Sequence, residues 1–313
     1  MINISVEKNP SPNRIYFTIT RQPNFIQLVI QREKLTLIKT FFLKTTLFLL
    51  VIFLHEIFSP SNLISKTLTS FNGSFVQGGL IIGKTKPHSQ VTYNEKTTVA
   101  SANGIFLIGF GRDAPSSVRV SIAHPSGIIE VHNFLIKRRN YKKSHINGLP
   151  KNKVIPNQSE LIRIKSDNQK IKLTRLLNRV HESFLSGFLW PIKGRISGDF
   201  GSQRILNGQA RRPHNGIDIA APVGTKIISP ANGFVTLVDQ NMFLSGKTVI
   251  IDHGHGLASI FIHMNSISVN LEEKITKGQE IGTVGMTGRA TGPHLHWGIT
   301  LLKTHLDPAL LVK

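Results

Sequence analysis

The sequence predicts a mainly β protein: a small β-sandwich followed by an antiparallel β-sheet domain, with an N-terminal apolar helix and a basic helix between the two β regions. Three observations carry this. Between Phe71 and Lys137, short apolar runs alternate with turn residues such as Gly78-Gly79, Asn103-Gly104 and Ser126-Gly127. From Trp190 onward, glycines recur between runs such as Thr248-Val249-Ile250-Ile251 and Ser259-Ile260-Phe261-Ile262, the pattern of antiparallel strands joined by tight turns. Between these regions, Leu173, Leu176, Leu177, Val180 and Phe184 recur at helical spacing.

Taken in order, the chain begins with residues 1–58, read as a leader and an apolar signal or anchor helix. Thr45 to Leu54 is an uninterrupted apolar run preceded by Arg32, Lys34, Lys39 and Lys44. Basic residues before a short apolar stretch mark a segment that engages a membrane with its N-terminus left in the cytoplasm. The run is shorter than the ~20 residues of a full span. Extension back to Phe41 takes in Lys44, whose stem can snorkel, so residues 41–58 are the expected anchor. Residues 71–137 form the sandwich, with strand-like pieces at Leu80-Ile81-Ile82, Ile105-Phe106-Leu107-Ile108 and Val118 to Ile122. No cluster of chemically competent side chains falls there, so a binding or spacer role is expected. Residues 138–187 read as a basic linker, interrupted by Pro150 and Pro156, and a helix from Ser159 as N-cap to about Phe184. Residues 188–313 form the second β domain.

Composition narrows the chemistry. The 313 residues include 38 Lys+Arg against 17 Asp+Glu, a net charge of +21 that favours anionic partners without choosing among them. There is no cysteine. That excludes disulfides, thiolate metal sites, cysteine nucleophiles and a lipid-modified N-terminal cysteine. A metal site in this chain must use imidazole and carboxylate.

Seven of the 13 histidines lie between His214 and His305. Three patterns stand out. In RRPHNGIDIAAP, His214 and Asp218 are four residues apart, but Pro213, Gly216 and Pro222 argue for a loop running into a strand, not a helix. In GPHLHWGI, His294 and His296 sit at i and i+2, which in a strand places both imidazoles on one face with Leu295 behind. His263 follows the strand-like Ser259 to Ile262. A catalytic zinc takes three His/Asp/Glu ligands and leaves a position open to water. His214, Asp218 and one of His294 or His296 make such a set, with the other and His263 flanking it. Zinc brings the pKa of its water towards ~7, and neighbouring imidazoles can accept that proton or serve a leaving amine. His253 and His255 in DHGHG read as loop or rim residues, since the set is complete without them. Asn215, Thr287 and Arg289 lie close enough in sequence to touch substrate, and Asp252 and Asp307 read as turn or cap residues. The glycine spacing of GTVGMTGRATG is not a phosphate loop: no Gly-Lys-Ser/Thr follows, and HLHW stands where the helix would start.

At these residues the chain resembles the lysostaphin-like (LytM-type) zinc metallopeptidases of the bacterial cell envelope. The hallmarks are PHNGIDIAAPVGT, HGHGLASIFIHM and KGQEIGTVGMTGRATGPHLHWGI, spanning about residues 190–312. The resemblance implies metal ligation by His214, Asp218 and His296 and catalytic roles for His263 and His294, and it alone selects His296 over His294. It also implies one zinc ion and peptidoglycan cross-links as substrate. The family's usual Tyr-x-His-Leu reads Phe261-Ile262-His263-Met264 here. The β-rich region before the linker, with WPIKGRISGDFGSQRILNG, resembles envelope members that carry an N-terminal immunoglobulin-like domain. These readings place the chain on the periplasmic side of the envelope, anchored to the inner membrane or secreted, with no nucleic acid as partner. The competing function is a catalytically silent regulator that binds and activates a wall amidase. Retention of all five side chains argues for the enzyme. The sequence carries no signal for oligomeric state or for which cross-link bond is cut, D-alanyl–diaminopimelate or glycine bridge.

Overall fold

The computed structural model describes residues 68–148 and 155–312, together with two dipeptide strands, Ser5–Val6 and Phe17–Thr18, that pair antiparallel. The chain divides into two units, Met1–Lys66 and Thr67–Lys313, and the second holds every other described element. The apolar run expected to reach the membrane lies outside the described residues. Among those described, no helix is long and apolar enough to cross a bilayer.

The first seven strands after Thr67 make two sheets. β1 (Ser70–Gly73), β2 (Leu80–Lys84) and β5 (Ile105–Gly109) form one antiparallel sheet. β3 (Gln90–Tyr93), β4 (Lys96–Val99), β6 (Ser117–Ala123) and β7 (Ile129–Leu135) form a second, ordered β4-β3-β6-β7. In β6 the alternation is plain: Val118, Val120 and Ile122 point inward and the residues between them do not. They meet Ile81, Phe106 and Ile108 of the first sheet in a common core. β5 departs from alternation and is buried at every position. Its Phe106 and Ile108 fill the sandwich, while Ile105 and Leu107 join Leu80 in the core of the second domain, beside Leu306. A strand covered on both faces reads as a continuous apolar run. Each side chain so buried contributes roughly 1.5–3 kcal/mol, so the sandwich is packed firmly onto its neighbour.

The connecting segment differs from the sequence expectation twice. Within the expected linker, β8 (Lys143–Ile146) pairs in parallel with β10 (Gln203–Leu206), which turns antiparallel onto β11 (Gln209–Ala210). The helix, α1 (Gln158–Arg175), starts at Asn157, not Ser159. Asn157 accepts from the backbone of Glu160 while the Glu160 carboxylate reaches back to the Asn157 N–H. It also stops short of Phe184. Leu173, Leu176 and Val180 of the expected apolar stripe are exposed, and Phe184 is buried in a separate 3₁₀ turn. Tertiary bonds override the periodicity here. The Arg179 carbonyl accepts from His255 N–H, and the Arg179 guanidinium grips both oxygens of Glu272, which requires the chain to leave the helix first. Polar contacts fasten α1 instead: Lys170 to Asp239 at 2.8 Å, and Asp167 to the Phe243 N–H at 2.8 Å.

Apart from β10 and β11, the strands of the second domain form a ten-stranded sheet whose main path runs β9 (Arg195–Gly198), β12 (Ile217–Ala220), β19 (His294–Leu301), β16 (Leu257–Ile267), β15 (Gly246–Gly254), β14 (Gly233–Met242) and β17 (Lys274–Ile275). β13 (Lys226–Ile228) and β18 (Glu280–Val284) pair alongside β16, and β20 (Thr304–Leu306) returns on β19. Every pairing in this sheet is antiparallel. Its core is built around Trp297, Phe261, Ile219, Ile251, Leu295 and Ile299. This sheet sets β12, β19 and β16 side by side, and with them the expected metal and catalytic residues.

Candidate metal centre

β12 and β19 pair with Asp218 directly opposite His296 and Ala220 opposite His294. As alternation demands, Leu295 is fully buried between the two histidines on the opposite face. His214 comes from the loop before β12, as the proline and glycine pattern predicts. Three atoms converge: His214 Nε2, Asp218 Oδ1 and His296 Nδ1, with separations of 3.0, 2.7 and 2.8 Å. His214 and His296 are buried, and little of the Asp218 side chain is exposed. Two imidazoles and a carboxylate this close are a ligand set of the kind that suits zinc. Among the described residues this is the one His/Asp/Glu cluster of that geometry.

Surrounding groups fix each ligand. His214 Nδ1–H donates to the Asp199 carbonyl at 3.1 Å, which selects the tautomer with a bare Nε2. The other oxygen of Asp218, Oδ2, accepts from Arg204 Nη2 at 2.5 Å, leaving Oδ1 for the metal. Burial raises the Asp218 carboxyl, but the adjoining His214 and His296 rings outweigh it and hold the group well below the usual range. Burial pushes His296 down to about 4 against the pull of Asp218, so the ring is neutral and able to ligate near neutrality. Glycines permit the close approach. A Cβ at Gly216 would stand 2.4 Å from the Trp297 carbonyl and 2.8 Å from His296 Nε2, and one at Gly198 would stand 2.5 Å from Asp218 Oδ2.

His263 and His294 meet ring to ring beside this triangle, with centroids 4.8 Å apart. His294 Nε2 stands 3.9 Å from Asp218 Oδ1. Each ring donates from Nδ1 to a carbonyl, His263 to Thr287 at 2.7 Å and His294 to Gly292 at 2.8 Å, so each presents a free Nε2. His263 lies within β16 at a register shift against β15, with φ at +64°, a conformation side chains rarely adopt. The irregularity breaks strict alternation and re-aims the ring, a common use of a bulge beside a site. Burial, then the charges of His294 and His296, push His263 down to about 3, so the ring is neutral near neutral pH.

The remaining expectations resolve differently. Thr287 spends its carbonyl on His263 and its hydroxyl on the Lys247 N–H and the Met264 carbonyl, which makes it a support of His263. Asn215 is exposed and, with Arg212, lines a cleft of ≈ 610 Å³ between the two domains. The Arg289 guanidinium is lowered by burial and by the nearby charges of Arg204, the residue that holds Asp218 Oδ2, and Arg211. His253 is no rim residue. It is buried in β15, donating from Nδ1 to Asn232 O at 2.7 Å and pairing Nε2 with Ser259 Oγ at 2.8 Å. The strand pairing that places it was not visible in the DHGHG turn. Asp307 caps a 3₁₀ turn through the Ala309 N–H and also pairs with Arg139 at 2.6 Å. Arg204 and the Asp199 carbonyl had no local signal in the sequence.

Residues 212–308 match the profile of peptidase family M23. This stretch is an M23 peptidase domain. A crystal structure described as a candidate M23 peptidase from Pseudomonas aeruginosa superposes with a TM-score of 0.60 at 27% identity, covering 76% of this chain and 94% of that one. The M23 domain is also similar to the peptidoglycan DD-endopeptidase ShyA of Vibrio cholerae, 39% identical over 106 residues, 34% of this chain and 24% of ShyA. The cell division protein DipM of Caulobacter vibrioides is 30% identical over 131 residues, 40% of this chain and 21% of DipM. The chain thus spans about a quarter or less of these curated relatives. The superposition on the Pseudomonas structure extends well beyond the M23 domain.

Proposed function

We propose that this protein is a zinc-dependent endopeptidase that hydrolyses peptide cross-links of bacterial peptidoglycan. The observation that carries the proposal is the convergence of His214 Nε2, Asp218 Oδ1 and His296 Nδ1 beside two imidazoles with free Nε2 atoms. Similarity of the M23 domain to named peptidoglycan DD-endopeptidases supports the substrate class. The silent-regulator alternative fits a chain that has lost ligands, and this one has lost none.

His214, Asp218 and His296 would hold the zinc, which when bound acidifies water and polarises a peptide carbonyl. The chain's own part is to place and protonate. His263 and His294 flank the ligands, and a neutral imidazole there accepts a proton from the attacking water and returns it to the leaving amine. The same two rings, once protonated, stabilise the oxyanion of the tetrahedral intermediate. Thr287 and Gly292, through their carbonyls, keep both rings in the required tautomer. We place the protein on the periplasmic side of the envelope, anchored to the inner membrane through residues 41–58 or secreted. The sandwich is read as immunoglobulin-like, on its seven-stranded two-sheet architecture.

Five variants test the assignment, with zinc content and cross-link cleavage measured on each. His214→Ala, Asp218→Ala and His296→Ala should lose zinc and activity together. His263→Ala and His294→Ala should keep zinc and lose about 10²–10⁴-fold in rate. Wild-type hydrolysis by all five would refute the proposal.

A further inference from the structure

Both domains converge on the turn that carries His214. Residues Asp199 to Ser202 cradle this ligand: Asp199 O accepts from His214 Nδ1–H, Gly201 N–H donates to His214 O at 2.8 Å, and His214 N–H donates to Ser202 O at 2.9 Å. Ser202 Oγ–H closes the turn onto Asp199 O at 2.9 Å. The far side of the turn is held from outside the M23 domain. Arg112, in the sandwich, donates from Nε to Gly201 O at 2.6 Å. Tyr141, in the connecting segment, stacks under the Arg112 guanidinium at 4.4 Å and donates from its hydroxyl to Arg112 O at 3.3 Å. The Tyr141 ring also presses on Gly201. A Cβ there would stand 2.3 Å from Tyr141 Cε1, and Gly201 has φ at +78°, so the contact requires glycine. Lys142 continues the grip, with its carbonyl accepting from Gln203 N–H at 2.9 Å and its amine 3.6 Å from Asp199 Oδ2.

We infer that Arg112 and Tyr141 are positioning residues for the metal centre, acting through the Asp199–Ser202 turn to set the orientation of His214. The sandwich and its connecting segment therefore complete the ligand geometry of the neighbouring domain. Arg112 supplies a directed bond to a backbone carbonyl, and Tyr141 locks the guanidinium that makes it. With the turn free to relax, the Asp199 carbonyl leaves His214 Nδ1, and the ring loses both its tautomer preference and its aim. The inference rests on the reading of His214 as a zinc ligand.

The test measures zinc affinity of the full chain by competition with a chromophoric chelator, alongside the thermal midpoint without metal. The control is Glu182→Ala, which removes a different tie of the sandwich to the connecting segment, the carboxylate that accepts from Ser101 Oγ and Asn103 Nδ2. Arg112→Ala is expected to weaken zinc binding about 10-fold, the scale of outer-sphere partners, with Arg112→Lys recovering part of the loss and Tyr141→Phe staying within about two-fold of wild type. Glu182→Ala should lower the thermal midpoint and leave zinc affinity unchanged. Wild-type affinity in Arg112→Ala overturns the inference, as does an equal loss in Arg112→Ala and Glu182→Ala, which would mark general loosening. A wild-type chain that binds no zinc overturns the metal reading itself and this inference with it.

Discussion

The chain has two His-x-His pairs in one sheet, and they end in opposite chemistry. His294 and His296 flank a leucine in an extended strand, so both rings reach one face and each turns a nitrogen towards Asp218. His253 and His255 flank Gly254, whose φ of +97° ends the strand, and His255 follows at +52° in the turn. The two rings part company, and His253 spends both nitrogens on Asn232 and Ser259 inside the core. Spacing alone therefore does not bring both rings to one site. Two histidines of such a pair reach one site only where the backbone is extended, so that they share a face, and where their ring nitrogens are not both taken by internal partners.

Three experiments press on that contrast. The largest effect is expected from Gly216→Ala, which drives a methyl against the Trp297 carbonyl and His296. Zinc affinity should fall by about 100-fold without replacement of any ligand; wild-type affinity in a chelator titration would show that the site tolerates the shift. Next, His253→Ala should cost about 2–4 kcal/mol in denaturant unfolding, by cavity formation and loss of two buried hydrogen bonds, with zinc stoichiometry intact. Loss of metal in this variant would break the distinction between the pairs.

The smallest effect is in pH dependence. Burial holds His253 at about 4 against an ordinary 6.5, so across that interval the unfolded chain binds a proton that the native state does not. Stability of the metal-free protein should accordingly decline as pH falls from about 6.5 to about 4, and His253→Ala should flatten the slope by on the order of 1–3 kcal/mol over the interval. Parallel slopes for wild type and variant in unfolding curves between these pH values would exclude His253 as a contributor.

The clustering of His214, Asp218 and His296 was legible in the sequence because it obeys local rules. Proline and glycine placed His214 in a loop, and the period of two put His294 and His296 on one face. Choosing His296 took the family resemblance. The supports were not legible. His214 leans on a backbone carbonyl, and any residue could supply that in place of Asp199. Arg204 meets Asp218 only because β10 and β11 form a hairpin against β8, a pairing of segments far apart in the chain. The helix boundary failed for the reverse reason. The leucine spacing after Arg175 was a real local signal, but Arg179 is drawn to Glu272 and His255, and its partners lie far along the sequence.

The doubly covered strand β5 bears on how the protein is made. Synthesis proceeds from the N-terminus, so Leu80, Ile105 and Leu107 emerge well before Leu295, Trp297 and Leu306, with which they share a core in the finished molecule. In the interim the nascent sandwich presents a greasy face to its surroundings, the kind of surface that draws chaperones or clumps with its own copies. Polar replacements at Ile105 and Leu107 would be the natural way to obtain the first domain alone as a well-behaved protein.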